Sequence, residues 1–254
     1  MLYVLKIAYD GTEYAGWQRQ KNALSVQERL EDAIMEALGI DVRVTASGRT
    51  DAGVHAAGQV CHFSAELTVP ASRMPDCLNR YLPPSIRILE GWEGASDFDA
   101  CRSAKRKTYR YRVYESAWEH PLLDRFAVRV ETVPKLSVLR SLAKELEGEH
   151  DFKAFCASGS SVKTTVRTVY SVRVEEREEY GKRIVEFFVT GNGFLYNMVR
   201  TMAGELIDLG LGRRTVDSLH EAFATGNRGL VGKTMAAKGL TMLSVEYEGE
   251  NSKE

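Results

Sequence analysis

Apolar and polar positions alternate from Leu2 to Tyr9, which predicts a first strand. A helical period follows, opened by Ser25-x-x-Glu28, a capping box that satisfies two orphan backbone donors. Leu30, Ala33, Ile34, Ala37 and Leu38 share one face of this helix, and Gly39 ends it. Strand-like stretches come next at Asp41–Ala46 and Gln59–Ser64. Ser72–Tyr81 reads as a short helix whose start is obscured by Pro75, and Ser85–Trp92 as a further strand. The predicted order is β-α-β-β-α-β.

The second half repeats that order with one additional helix. "KTYRYRVYE" alternates as a strand, and Leu139, Leu142, Ala143 and Leu146 mark an amphipathic helix. Val166–Glu176 and Arg183–Thr190 read as two long strands joined across "EYGK" as a hairpin. Phe194–Leu209 and Thr215–Thr225 look helical, and Leu240–Tyr247 is a last strand. The economical architecture is α+β: two ferredoxin-like halves side by side with mainly antiparallel sheet. Their boundary is expected near Cys101, giving domains 1–100 and 101–254. No Gly/Ser/Pro-rich linker separates them, so the halves are expected to pack as one body with a cleft. No residue-level repeat accompanies the duplication, which is one of topology alone.

Composition narrows the class. Of 254 residues, 44% are hydrophobic and 27% charged, the balance of a water-soluble globular chain with ample length for a core. No apolar run is long enough to span a membrane, and "MLYVLKIAYDGTEY" lacks the basic region and cleavage site of a signal peptide. Cys61, Cys77, Cys101 and Cys156 are scattered without a CxxC pair, which suits a reducing cytoplasm and no zinc ribbon. A net charge of -1 hides an uneven distribution. Residues 101–129 hold eight Lys/Arg against three Asp/Glu, and residues 213–238 hold five against two. The tail 246–254 has four Glu and one Lys. Such basic segments serve either as solvated faces or as a local polyanion-binding surface.

One segment fits neither period. "ASGRTDAGVHA", Ala46–Ala56, packs hydroxyls, an Arg, an Asp, two Gly and a His into eleven residues. Asp51 is its only carboxylate, and Arg49 lies two residues before it. A neighbouring guanidinium favours the ionised carboxylate that a nucleophile or general base requires. On the residues alone, a turn-capping Asp paired with Arg49 is the commoner account of so short a loop. His55 and His62 are read as loop architecture and strand packing, since no third metal ligand is near them in sequence. "GNRGLVGKT" nearly spells a P-loop, but Asn227 stands where that pattern needs glycine, and the segment follows a predicted helix.

Taken whole, "GRTDAGVHA" resembles the signature of the TruA family of tRNA pseudouridine synthases, bacterial type. "YDGTEYAGWQRQ", "SVQERLEDAI", "GQVCHF", "KTYRYRVY", "HDFKAFC", "GFLYNMVR" and "KGLTMLSVEY" resemble that family too, in its order, from Tyr9 to Tyr247.

The resemblance implies isomerisation of uridine to pseudouridine at positions 38, 39 and 40 of the tRNA anticodon arm. In such an enzyme the glycosidic bond breaks, the uracil turns, and it is rejoined through C5. Asp51 takes the place of the family's catalytic aspartate, Tyr109 that of the tyrosine stacking on the target base, and Arg200 that of the arginine pairing with the aspartate. An Arg49–Asp51–Arg200 cluster would keep Asp51 ionised, and Leu240 takes the place of a leucine against the uracil. Arg19, Lys105, Arg106, Lys107 and Arg110 are expected phosphate contacts. Neither metal nor redox or nucleotide cofactor is expected, because the bond change is neutral in electrons. The family further implies a cytoplasmic homodimer with tRNA lying across both subunits. Other readings are the same chemistry on another RNA position and an inactive RNA-binding relative. One departure stands out: where the family usually has A-P-x-G-L, this chain reads Ala236-Ala237-Lys238-Gly239-Leu240.

Overall fold

The computed structural model describes residues 1–157, 159 and 162–248, so the acidic tail is described only as far as Glu248. Two compact units result: Met1–Lys105 together with the chain from Thr241, and Arg106–Leu240. The fold is α+β with mainly antiparallel strand pairs.

The first unit begins with β1 (Leu2–Tyr9), α1 (Val26–Leu38), β2 (Thr45–Ala46), β3 (His55–Ser64), α2 (Met74–Leu78) and β4 (Ile86–Gly94). β1 lies between β3 and β4, antiparallel to both. α1 forms where its caps predict. Ser25 Oγ accepts from the Glu28 N–H at 3.2 Å, and Gly39 takes the left-handed conformation at φ 70° that releases the chain. Val26, Leu30, Ala33 and Ile34 are its buried apolar face. Burying a Leu or Ile side chain contributes about 1.5–3 kcal/mol, so this face outweighs any propensity effect.

The strand expected over 41–46 shrinks to Thr45–Ala46, for a visible reason. Val44 donates its N–H to Glu31 Oε1, and its carbonyl accepts from Gln27 Nε2, so α1 side chains take the place of a strand partner. β3 starts earlier than predicted, at His55, which is buried.

The second unit contains β5 (Arg106–Glu115), β6 (Val128–Val130), α3 (Leu136–Ala143), β7 (Gly148–Asp151), β8 (Val166–Glu179), β9 (Lys182–Gly191), α4 (Met198–Gly210) and α5 (Val216–Thr225). Its strands run in the order β5-β9-β8-β7, with β6 parallel to β5. Tyr180 and Gly181 have φ of 51° and 66°, the doubly left-handed turn that matches strand twist and makes "EYGK" a hairpin. α4 starts four residues later than predicted. Asn197, at φ 64°, stands in a left-handed conformation that no helix interior adopts, so residues 194–196 precede the helix.

The final strand, β10 (Leu240–Glu246), pairs in parallel with β3 through Thr241–His55 and Met242–Ala56. The sequence order had grouped it with the second half; its pairing belongs to the first unit. Tyr247 seals that return, its hydroxyl donating to the Ala100 carbonyl at 2.8 Å.

Candidate active site

In the first unit the segment 46–56 is held at both ends and in its middle. At its start, Ser47 Oγ donates to Gln59 Oε1, Gln59 Nε2 donates to the Gly48 carbonyl at 2.8 Å, and the Ser47 N–H reaches the Val60 carbonyl at 2.8 Å. At its end, His55 Nδ1 lies 3.0 Å from the Gly11 N–H and 3.1 Å from Asp10 Oδ1. Thr50 is buried between exposed Arg49 and half-buried Asp51, and its hydroxyl bonds that of Tyr9 at 2.7 Å. Burial pushes the Tyr9 phenol far up, so it stays protonated.

The segment 11–17 braces the loop from outside. The Trp17 N–H donates to the Thr50 carbonyl at 3.0 Å, and the Gly53 N–H to the Tyr14 carbonyl at 3.3 Å. Two glycines let the backbones approach this closely. A Cβ at Gly11 would stand 2.0 Å from the Val54 carbonyl oxygen; one at Gly16, whose φ is 96°, would stand 2.5 Å from that of Thr50. The same segment caps α1, since the Gly16 and Trp17 carbonyls accept from the Val26 and Gln27 N–H groups at 3.2 and 3.0 Å. A rigid helix end, a glycine-bearing brace and the Asp51 loop thus form one hydrogen-bonded unit. A carboxylate fixed on such a scaffold can act as nucleophile or base without first paying to be ordered. Sequence reasoning missed Gly11, Gly16 and Gln59 as its supports. The available signal was a pair of glycines among aromatics in "DGTEYAGW", outside any periodic element.

In the second unit Tyr109 is on β5 opposite Val189 of β9, nearly buried, with Phe194 edge-on at 5.2 Å. Tyr111, two residues on, has the core role expected and a further one. Its hydroxyl donates to the Ala236 carbonyl at 2.7 Å, and its ring lies against Gly239, where a Cβ would stand 2.8 Å from Cζ. It therefore braces the turn Ala237–Gly239 that leads into buried Leu240. Lys238 of that turn is ion-paired with Asp124. Arg200, on the first turn of α4, donates through Nε to the Met235 carbonyl at 2.7 Å and through a terminal nitrogen to Asn197 Oδ1.

The five basic residues expected on phosphate have varied surroundings. Arg19 lies 3.0 Å from Glu31, a buried carboxylate that also binds Arg43. Lys105 lies 3.1 Å from exposed Glu248. The Arg106 guanidinium covers the Tyr170 ring at 4.8 Å, and Lys107 is half-buried on β5. Arg110 is on the face of β5 opposite to Tyr109, 3.5 Å from Glu186, where burial lowers the pKa of its guanidinium. Structure thus groups Arg49, Asp51, Arg19 and Lys105 in the first unit, and Tyr109, Arg200, Leu240, Arg106, Lys107 and Arg110 in the second.

His62 packs as expected: its Nδ1 accepts from the Ala100 N–H at 3.1 Å, its ring meets Phe98 edge-on, and burial lowers its pKa. The near-P-loop segment follows α5, not a strand, and its Gly232 N–H is taken by Glu205. Among the described residues, no helix is long and apolar enough to cross a membrane.

Comparison with known proteins identifies the family of the chain. The profile of the family described as "tRNA pseudouridine synthase" matches residues 6–90 and 142–248. The chain is 44% identical over 243 residues to tRNA pseudouridine synthase A of Syntrophotalea carbinolica, covering 96% of this chain and 95% of that protein. It is 41% identical to the protein of the same name from Acetivibrio thermocellus, covering 96% and 98%, and 40% identical to that of Ruminiclostridium cellulolyticum, covering 96% and 98%. With most of its length matched in this way, the chain belongs to the tRNA pseudouridine synthase family.

Proposed function

We propose that this protein converts uridine to pseudouridine in tRNA, at positions 38, 39 and 40 of the anticodon arm, with Asp51 as the catalytic carboxylate. The observation that carries the reading is the fixation of the Asp51 loop. Glycine contacts and side-chain bonds hold the loop, while Thr50 alone of its Arg-Thr-Asp core is committed to the interior. That arrangement spends structural effort on presenting a carboxylate, more than a turn cap requires.

The reaction exchanges the N1–C1′ bond for a C5–C1′ bond. N1 ends protonated and C5 gives up its proton, so atoms and electrons balance within the substrate and solvent. Asp51 serves either by adding to the uracil ring or sugar or by taking a proton while countering a cationic sugar. Arg49 and Arg200 are assigned as guanidinium partners that favour its ionised form. Tyr109 is assigned to stack on the uracil. Extruding a base costs a few kcal/mol, and stacking on an aromatic ring returns about 1–3 kcal/mol, so the ring offsets much of the extrusion. Leu240 is assigned to the apolar side of the uracil. Arg106 and Lys107, with Arg19, Lys105 and Arg110, are assigned to the phosphate backbone, supplying salt-sensitive affinity without sequence information. The working form in this reading is a cytoplasmic homodimer spanned by tRNA; light scattering that gives only monomer at micromolar protein would remove that element.

The test uses unmodified tRNA transcripts with uridine at positions 38, 39 and 40, incubated with the protein and with Asp51→Ala. Nucleosides are separated by chromatography, because substrate and product have equal mass. Pseudouridine from the wild type and none from the variant is the expected result. No product from a folded, tRNA-binding wild type would remove the anticodon-arm assignment.

A further inference from the structure

Three side chains of α4 grip one short loop, residues 231–236. Arg200 Nε donates to the Met235 carbonyl at 2.7 Å, and the Met235 N–H returns to the Arg200 carbonyl at 3.3 Å. The Thr201 and Thr234 hydroxyls meet at 2.9 Å. Glu205 Oε2 accepts from the Gly232 N–H. Two glycines permit the contact: a Cβ at Gly204 would stand 2.1 Å from the Lys233 carbonyl oxygen, and one at Gly232 would stand 2.8 Å from the Glu205 nitrogen.

Glu205 is the unexpected member. It is fully buried, and its Oε1 has no hydrogen-bond partner among the described residues. The groups that act on it are Arg214, whose Nε is 3.9 Å from Oε2, Arg228, and the like charge of Asp208. Arg228 itself is bonded to the Val231 and Gly232 carbonyls at 3.1 and 2.8 Å, so it too belongs to the loop. A buried carboxyl with one unsatisfied oxygen is unfavourable for packing alone, where an apolar side chain would serve better. Its hold on Gly232 is what the fold gains in return.

We propose that Glu205 is a positioning residue for the isomerisation: it anchors the 231–236 loop, whose Met235 carbonyl sets the orientation of the Arg200 guanidinium. The proposal rests on the assignment of Arg200 to the reacting site. Its logic is a ladder along α4, with Glu205 at the far end, the Thr201–Thr234 bond in the middle and Arg200 at the near end.

A double-mutant cycle on full-length protein with unmodified tRNA tests it. Glu205→Leu is expected to lower the single-turnover rate by about 10- to 100-fold, the scale of a small misplacement of a reacting group. Affinity for tRNA is expected to stay near that of the wild type. Glu205→Gln, whose amide oxygen still accepts from Gly232, is expected to retain most of the rate. In the Arg200→Ala background, Glu205→Leu is expected to have no further effect on rate. Thr201→Val removes the middle rung without adding volume, and should lose rate in the same Arg200-dependent way even if Glu205→Leu fails to fold. An equal loss from these variants with and without Arg200, or no loss at all, overturns the proposal. A wild-type rate for Arg200→Ala alone would instead sink the Arg200 assignment, and the proposal with it.

Discussion

Gly16 faces the Thr50 carbonyl so closely that a Cβ would stand 2.5 Å from its oxygen, at a φ of 96° that L side chains rarely adopt. Gly16→Ala therefore meets both backbone strain and a backbone clash, which together cost about 1–3 kcal/mol. The melting temperature should fall by about 2–4 °C for each kcal/mol in a chain of this size. Turnover should fall further than stability does, because the displaced atoms are those of the Asp51 loop. Calorimetry and single-turnover assays on the folded variant check this; an unchanged rate would mean that the brace does not set the carboxylate.

Tyr109 is nearly buried and edge-on to Phe194. If its ring stacks on the extruded uracil, Tyr109→Ala should lose about 5- to 150-fold in turnover, the kinetic equivalent of about 1–3 kcal/mol. Tyr109→Phe keeps the ring and should lose much less of the stacking. Equal losses in the two variants would locate the contribution in the hydroxyl.

Ala237 stands where the family usually has proline. Ala236 before it has φ -61° and ψ 147°, the extended conformation that proline imposes on its predecessor, and Ala237 opens a 3-10 turn. Ala237→Pro should accordingly raise stability by about 0.4–1 kcal/mol by restricting the unfolded chain. Denaturant midpoints measure it, and activity should be retained because the turn already has the required shape.

Burial raises the pKa of Glu205, so folding favours its protonated form. The contribution of that form is complete below the ordinary Glu value and is lost as pH rises through the raised one. Glu205→Gln, which stays neutral, should therefore gain stability relative to the wild type as pH rises above the ordinary Glu range. Urea midpoints of both proteins across that rise test the sign. A relative gain by the wild type would show that Gly232 and Arg214 favour the carboxylate more than burial opposes it.

Where local chemistry decided the structure, it could be read directly. Ser25 and Gly39 bound α1, and the Tyr180–Gly181 turn defines the β8–β9 hairpin. β7 was not legible, because "GEHD" has no apolar alternation and is a strand through its pairing with β8. The start of α4 was misplaced because apolar residues continue through Leu195 and Tyr196, while one left-handed Asn197 sets the boundary. At the site, the motif carried Asp51 and Arg49. The glycines and Gln59 that support them act through three-dimensional proximity, which no periodicity encodes.

The pairing of β10 with β3 makes the first unit discontinuous in the chain. On the ribosome, every residue of the second unit is made before the strand that completes the first. The Asp51 loop, synthesised early, waits for the β10 partner of β3, which arrives 186 residues after His55 with Thr241. Such a sequence separation is expected to slow final assembly and leave the unfinished first unit exposed in the meantime. A nonsense mutation at Thr241 would spare all residues of the second unit while damaging the one that bears the carboxylate.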